Sequence, residues 1–291
     1  LQALSERCSI AENLSGCCLD CRRSFDVVRS KVLAFCHEIE SREDEVHTPE
    51  DLYQIYQDLD DLAHLEVSSH LASHILEDPE IRQALPTIRS YYAAFFDHHE
   101  VLLAENMLRS KDPWSMLKKF PLYPRYKALI KNQVEAVSLS QDQVLAFLGC
   151  GPLPISSILL GGLYGIRSIG LDVDPLAASL ARKCIQCLGL EENISIVEGN
   201  ESVLADLEWD AVLVAALAEP KKRIFQTLRT ILKETGPRPI CYRTYTGMRA
   251  VLYQPVQPEE IKGFRKTCEI APQGRVNNTL VVLEPEDDAD L

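Results

Sequence analysis

The period of the apolar residues changes near residue 143, and that change limits the folds open to the chain more than any other feature. Before it, apolar side chains recur every three or four residues over 22–41, 49–66, 67–77, 79–109 and 113–138, which predicts helices. After it come four short apolar runs: QVLAFLG from 143, SIGLDV at 168–173, ISIVEG at 194–199 and WDAVLVAAL at 209–217. Helical stretches follow three of them, at 153–164, 175–188 and 220–233. Strand alternating with helix implies right-handed crossovers and a doubly wound, Rossmann-like parallel sheet. The later pieces PICYRTY, AVLYQPV, a helical PEEIKGF, and extended segments near 266–271 and 278–284 suggest an antiparallel C-terminal hairpin added to that sheet. The expected fold class is therefore α/β with an N-terminal all-helical domain. The expected boundaries are 1–130 for the helical domain, 131–285 for the α/β domain and 286–291 for a frayed acidic tail.

Composition narrows the partners. At 291 residues, 46% hydrophobic and 25% charged, the chain can bury two cores. Its net charge of −13 lacks the field that draws in nucleic acid, and an anionic membrane would repel it. No apolar run reaches the length of a membrane span, and LQALSERCSI lacks the order of a secretory signal, so a cytoplasmic protein acting on small molecules is expected. The ten cysteines are then expected to be reduced, packed thiols. Cys8, Cys17, Cys18 and Cys21 cluster without paired C-x2-C knuckles, Cys184 and Cys187 form a lone C-x2-C, and His70 and His74 lack a third ligand. No metal is expected.

The glycine turn after the first strand, AFLGCGPLPISS, occupies the place where open α/β sheets meet their ligands. Gly149 and Gly151 match two glycines of the dinucleotide fingerprint, but Pro154 holds the third glycine position and Pro152 removes another backbone donor. A pyrophosphate needs several N–H groups at a helix start. Asp172, closing the second strand 23 residues after Gly149, suits ribose hydroxyls. Together these describe an adenosine site without a strong phosphate site, which S-adenosylmethionine (SAM) fits. Gly149, Gly151, Pro152, Leu153 and Asp172 are its candidate contacts, and Asn200, after the third strand, is placed to read the adenine amino group. The competing reading is tight strand–helix packing, with Asp174 capping a helix ahead of Pro175.

Glu100 lies on a helix whose positions −8, −4, +3 and +7 from it are Tyr92, Phe96, Leu103 and Met107, an apolar and aromatic stripe. A carboxylate there either sits at the edge of the stripe and reaches solvent, or meets a cation such as a substrate ammonium. In FPLYPRYKAL, Pro124 biases Tyr123 toward an extended conformation, which predicts a turn between helices carrying Tyr123, Arg125 and Tyr126. Arg125 could hold a carboxylate with its two-pronged guanidinium, or form only a surface ion pair. Arg243, Tyr245 and Arg249 in RTYTGMR fall at the end of the expected fifth strand and are candidates for acceptor contacts. Glu219 in AALAEPKK is expected to cap the helix beginning at Pro220.

GCGPLPISS, LDVDP, VAALAEPKKRIF and YRTYTGMRAVLYQPV together resemble the nicotianamine synthase family, in particular its compact archaeal-type members, over about residues 60–285. The resemblance implies a helical domain over a SAM-binding Rossmann-like domain. It implies an enzyme that transfers the 3-amino-3-carboxypropyl group of SAM to an amine, releases methylthioadenosine and builds a nicotianamine-type metal chelator, with no metal required. It implies that Glu100 belongs to the active site and that Tyr126 hydrogen-bonds the reacting amine or relays its proton. The acceptor would be glutamate, another amino acid or an aminocarboxypropyl intermediate, and a homodimer is left open. Two features depart from the family: the first 60 residues have no clear counterpart, and Asn200 stands where archaeal-type sequences tend to carry Asp. A SAM-dependent methyltransferase on the same fold is the alternative, and a non-catalytic SAM- or dinucleotide-binding module is a third reading.

Overall fold

The computed structural model describes residues 19–41, 49–137 and 139–286. Cys8, Cys17 and Cys18, the tail at 287–291 and the side chain of Cys21 lie outside the described residues. The chain forms two compact units: residues 1–96 with 245–255, and residues 97–244 with 256–291. The sequence places a single boundary at 130. The contacts instead put 97–137 with the sheet and return 245–255 to the first unit, because what a helix packs on is set by tertiary partners that periodicity does not show.

The first unit contains helices α1 (Leu19–Ser41), α2 (Pro49–Ala63) and α3 (Ser69–Glu77), and residues 79–96 of α4 (Pro79–Arg109). Ser68 caps α3 by accepting the Leu71 N–H at 3.2 Å, which satisfies one orphan donor of the first turn. Burial of Val32, Leu59, Ile75, Ile81 and Ile88 makes the core. The Tyr56 and Phe95 rings stack in it with centroids 4.1 Å apart. The segment 245–255, which holds most of the piece AVLYQPV, is a short 3-10 turn over Gly247–Val251 followed by loop. Arg89 ties it down by donating to the Ala250 carbonyl at 2.7 Å.

The second unit begins with residues 97–109 of α4, followed by α5 (Pro113–Lys118) and α6 (Tyr123–Val137). Asp112 caps α5 ahead of Pro113. The expected turn at 123–126 is the first turn of α6. Pro124 fits there because the first-turn N–H groups have no intrahelical partner to lose.

Seven strands follow: β1 (Val144–Leu148), β2 (Arg167–Asp172), β3 (Ile194–Glu198), β4 (Ala211–Val214), β5 (Ile240–Thr244), β6 (Phe264–Ile270) and β7 (Thr279–Pro285). Their order is β3-β2-β1-β4-β5-β7-β6, with β1 to β5 paired in parallel and β7 antiparallel to both of its neighbours, β5 and β6. The expected doubly wound sheet and terminal hairpin are both present. The crossovers carry α7 (Ile155–Leu159), which runs on as a π-helical turn over Leu160–Tyr164, α8 (Pro175–Leu188) and α9 (Lys221–Thr235). Asp174 caps α8 through the Leu176 N–H, as the sequence suggested. One core cluster joins Ala146, Leu148, Val212 and Val214 of the sheet to Phe225, Leu228 and Leu232 of α9. The strand order reverses between β1 and β4, and such a reversal opens a crevice at the carboxyl ends of the strands.

Candidate active site

The turn after β1 stands at that crevice, and its donors are directed inward. Gly149 and Cys150 both donate to the Leu171 carbonyl, at 2.9 and 3.0 Å. Gly151 donates to Asp172 Oδ2 at 2.8 Å. Prolines 152 and 154 have no N–H to give. Three engaged donors and two prolines leave no row of N–H groups for a pyrophosphate, which agrees with a phosphate-free ligand. Gly149 and Gly151 both have positive φ, +74° and +71°, a conformation that side chains disfavour. Cys150 between them is buried, and desolvation pushes its thiol far above the ordinary cysteine range.

Asp172 ends β2 with each carboxylate oxygen accepting one backbone bond, Oδ2 from Gly151 and Oδ1 from Asp174 at 3.0 Å. A carboxylate oxygen has a second lone pair, so acceptors remain for a pair of hydroxyls. Beside it Val173 is 65% exposed and Leu176 is 78% exposed, an apolar surface suited to a flat ring. Sequence reasoning passed over both; their signal was two apolar residues flanking a capped Asp-Pro. Pro152 and Leu153 are buried, which leaves them little surface to offer a ligand. Asn200 follows β3, but its Oδ1 accepts from Ser202 N–H at 3.0 Å and from Ser202 Oγ at 2.6 Å. With that oxygen engaged as a helix cap, the group left to meet an adenine is the amide NH2.

Glu100 comes to this turn from α4. A Cβ built at Gly151 would lie 2.8 Å from Glu100 Oε2, so the missing side chain is what lets the carboxylate approach the backbone. Its other oxygen accepts from the Tyr126 hydroxyl at 3.2 Å. Desolvation raises the Glu100 pKa to about 8; the Tyr126 bond opposes this, and Asp97 and Asp172 add to it. The half-buried carboxyl therefore lies neither in bulk water nor on a cation among the described residues. Asp97, one helical turn earlier, is pushed up by desolvation and then by Asp172 and Asp174. Sequence reasoning missed Asp97, whose only signal was its i−3 spacing from Glu100.

The other expected site residues are placed differently. Tyr123 is buried, and that burial raises its phenol pKa. Arg125 is half-buried on the same helical turn. Arg243 is 6% exposed and donates to Gln133 Oε1 at 2.8 Å and Ser156 Oγ at 3.0 Å, over the Phe147 ring. Its guanidinium ties α6 to α7 inside the core. Tyr245 and Arg249 belong to the first unit, where the Tyr245 hydroxyl donates to Tyr92 Oη at 3.3 Å and Arg249 is half-buried. Glu219 accepts the Lys221 N–H at 2.9 Å, the capping role expected of it. Lys221, read in the sequence only as part of the AALAEPKK motif, is 2% exposed. His70 and His74 meet through their Nε2 atoms at 3.0 Å, and among the described residues no group of three or more His, Cys, Asp or Glu is arranged to hold a metal ion.

The comparisons converge on one family. The family model described as nicotianamine synthase protein matches residues 22–289. L-histidine 2-aminobutanoyltransferase of Pseudomonas aeruginosa strain PAO1 is 27% identical over 146 residues, which is 50% of this chain and 54% of that one. The chain thus spans about half the length of this curated relative. A glutamate-to-glutamine mutant of MtNAS in complex with S-adenosylmethionine superposes with a TM-score of 0.82 at 35% identity, over 88% of this chain and 97% of the other. MtNAS in complex with MTA and tNA gives 0.83 at 34%, over 94% and 100%. A family match across nearly the whole chain and a shared fold at this identity leave one assignment: the chain belongs to the nicotianamine synthase family.

Proposed function

We propose that this chain transfers the 3-amino-3-carboxypropyl group of SAM to the amine of an amino-acid acceptor, releasing methylthioadenosine, as a step in making a nicotianamine-type chelator. The observation that carries the proposal is the Glu100 carboxylate, held against Gly151 and Tyr126 in desolvated surroundings at the mouth of the glycine turn. The neighbours described above bind SAM and MTA, and their fold is that of this chain.

The adenosine would lie with its ribose hydroxyls on the free lone pairs of Asp172 and its ring on Val173. SAM supplies an electrophilic carbon on each side of its sulfonium, and the reaction depends on which carbon the amine can approach in line. Asp97, Asp172 and Asp174 gather cationic co-substrate and protonated acceptor into the site. Glu100, its pKa raised to about 8, accepts the acceptor's proton when it is ionised, since an ammonium has no lone pair with which to attack. As the nitrogen–carbon bond forms, the carbon–sulfur bond breaks and its electron pair returns to sulfur. Positive charge moves from sulfur to nitrogen, where the field of Asp97 and Asp172 stabilises it, Glu100 already holding the proton it accepted. Tyr126 fixes the orientation of Glu100 through Oε1, which leaves Oε2 for the amine.

We place this activity in the cytoplasm, consistent with six free cysteines among the described residues. Among those residues no helix is long and apolar enough to cross a membrane. The acceptor is an amino acid, glutamate or an aminocarboxypropyl intermediate. Incubation with SAM and single amino acids, followed by mass spectrometry, tests the proposal. Methylthioadenosine with an acceptor heavier by one aminocarboxypropyl unit supports it; S-adenosylhomocysteine and a methylated acceptor would make the chain a methyltransferase.

A further inference from the structure

The loop after β4 is organised by one buried ammonium. Lys221 Nζ donates to the Ala216 carbonyl at 2.9 Å, to the Ala218 carbonyl, and to Glu219 Oε1 at 3.3 Å. Three protons meet three acceptors, which is what lets an ammonium be buried to this degree. A trans peptide is planar, with its C=O and N–H pointing in opposite directions. Drawing the carbonyls of residues 216 and 218 onto Nζ therefore turns the N–H groups of Leu217 and Glu219 away from it. Among the described residues neither N–H has a hydrogen-bond acceptor, although the neighbouring Ala215 and Ala218 N–H groups do, at 3.0 and 3.3 Å. Leu217 is only half-buried and Glu219 is exposed, so the loop lies at the surface and not in the core. The Glu219 carboxylate is engaged at the opposite side, with the Lys221 N–H and Nζ.

The loop also touches the glycine turn. A Cβ at Gly149 would lie 2.8 Å from Ala218 Cβ, while one at Gly151 would lie 2.8 Å from Glu100 Oε2. The base and the β4 loop thus bracket a three-residue turn that spans roughly 7 Å at most. In an aminocarboxypropyl group the attacked carbon and the carboxylate carbon are three carbon–carbon bonds apart, about 4 Å. The spacing is of the right order for one zwitterion to use both ends.

We propose that the N–H groups of Leu217 and Glu219 form a two-donor seat for a substrate carboxylate, and that Lys221 is the positioning residue that aims them. The inference rests on the transferase reading above and names a contact within it. The carboxylate could be that of SAM or that of the acceptor, and the test separates them. Titration calorimetry compares SAM with its decarboxylated analogue, and initial rates compare the acceptor acid with its carboxamide.

Loss of a charge-assisted pair of hydrogen bonds weakens binding roughly tenfold or more. The parent should therefore prefer one acid over its neutral counterpart by at least that factor. Lys221→Met should bring the ratio close to one, and Lys221→Arg should keep part of it. A collapse in the SAM ratio assigns the seat to the co-substrate, and a collapse in the KM ratio of the acceptors assigns it to the acceptor. A parent with neither preference, or a folded Lys221→Met that keeps the parent's ratios, overturns the seat. If Lys221→Met does not fold, the amide of Leu217 in 15N-leucine-labelled parent decides. It should shift with the acid form and stay in place with its neutral counterpart, and an equal response overturns the proposal. A parent that binds SAM but shows no preference sinks the seat alone, whereas one that binds no SAM sinks the transferase reading with it.

Discussion

The hydroxyl of Tyr126 donates to Oε1 of Glu100 across 3.2 Å, which leaves Oε2 beside Gly151 as the oxygen available to a substrate. On the proposed mechanism the two carboxylate oxygens have different tasks, one for orientation and one for chemistry.

Glu100→Gln keeps the shape of the side chain and removes its capacity to take a proton. Turnover should fall by about 10²–10⁴, the usual loss on removing a general base, with SAM affinity within a few-fold of the parent. Steady-state rates and calorimetry on the same preparation check this. Parent-like turnover would remove Glu100 from the mechanism. Tyr126→Phe should lower the rate by a smaller factor, since it frees the carboxylate to rotate without abolishing it.

The rate should depend on pH through the same group. Glu100 must be ionised to accept a proton, so kcat/KM should rise as pH climbs toward about 8 and then level off. Asp97 is one of the charges holding that value up, so Asp97→Asn should move the inflection to lower pH. An unmoved inflection would show that Asp97 does not act on Glu100.

Stability should show the opposite trend. The Glu100 pKa is raised from 4.5 to about 8, so between those values the folded chain holds a proton that the unfolded chain releases. Stability from this group therefore falls as pH rises through that window and is constant above it. Glu100→Gln should melt higher than the parent at pH 9, with the gap closing toward pH 5. Melting curves at pH 5, 7 and 9 test it, and a pH-independent gap would exclude the assignment.

Asp172→Asn should weaken SAM binding by roughly tenfold, the scale of one lost charge-assisted hydrogen bond. The amide can still accept from Gly151, but its NH2 would then face the Asp174 N–H, donor against donor. A SAM affinity equal to the parent's, measured by calorimetry, would exclude Asp172 from the ribose site.

Gly151→Ala combines strain with crowding. Its φ of +71° disfavours a side chain, and the added methyl would meet Glu100 Oε2 at 2.8 Å. The carboxylate is the mobile end of a long side chain and would move aside, so kcat should fall more than SAM affinity. The reverse order would mean that the turn, and not the base, is what the glycine protects.

What the sequence revealed and what it hid follow from whether the relevant neighbours are local. The switch from helical to strand–helix periodicity at 143 placed β1 to β4 and their helices, because alternation and capping are set by neighbours within a few residues. Glu100 stood out because a carboxylate on an aromatic stripe is a local contradiction. Tyr123 was expected in a turn because Pro124 is unfavourable after helical residues; it opens α6 because the preceding residue is itself the helix start. Arg243 was expected to face a ligand, yet its partners Gln133 and Ser156 come from distant helices that no spacing could forecast. Lys221 is invisible for the same reason. Two of its three acceptors are main-chain carbonyls, and main chain has no residue identity. The return of 245–255 to the first unit likewise has no compositional mark.

Cys150 lies inside the turn where a sulfonium electrophile would be held. An ionised thiol there would be a stronger nucleophile than any acceptor amine and would take the transferred group irreversibly. Its burial keeps the sulfur protonated and so chemically dull. On the transferase reading, the packing of one small side chain against Gly170 would spare the protein from alkylating itself, and intact-mass spectra after prolonged turnover should find Cys150 unmodified.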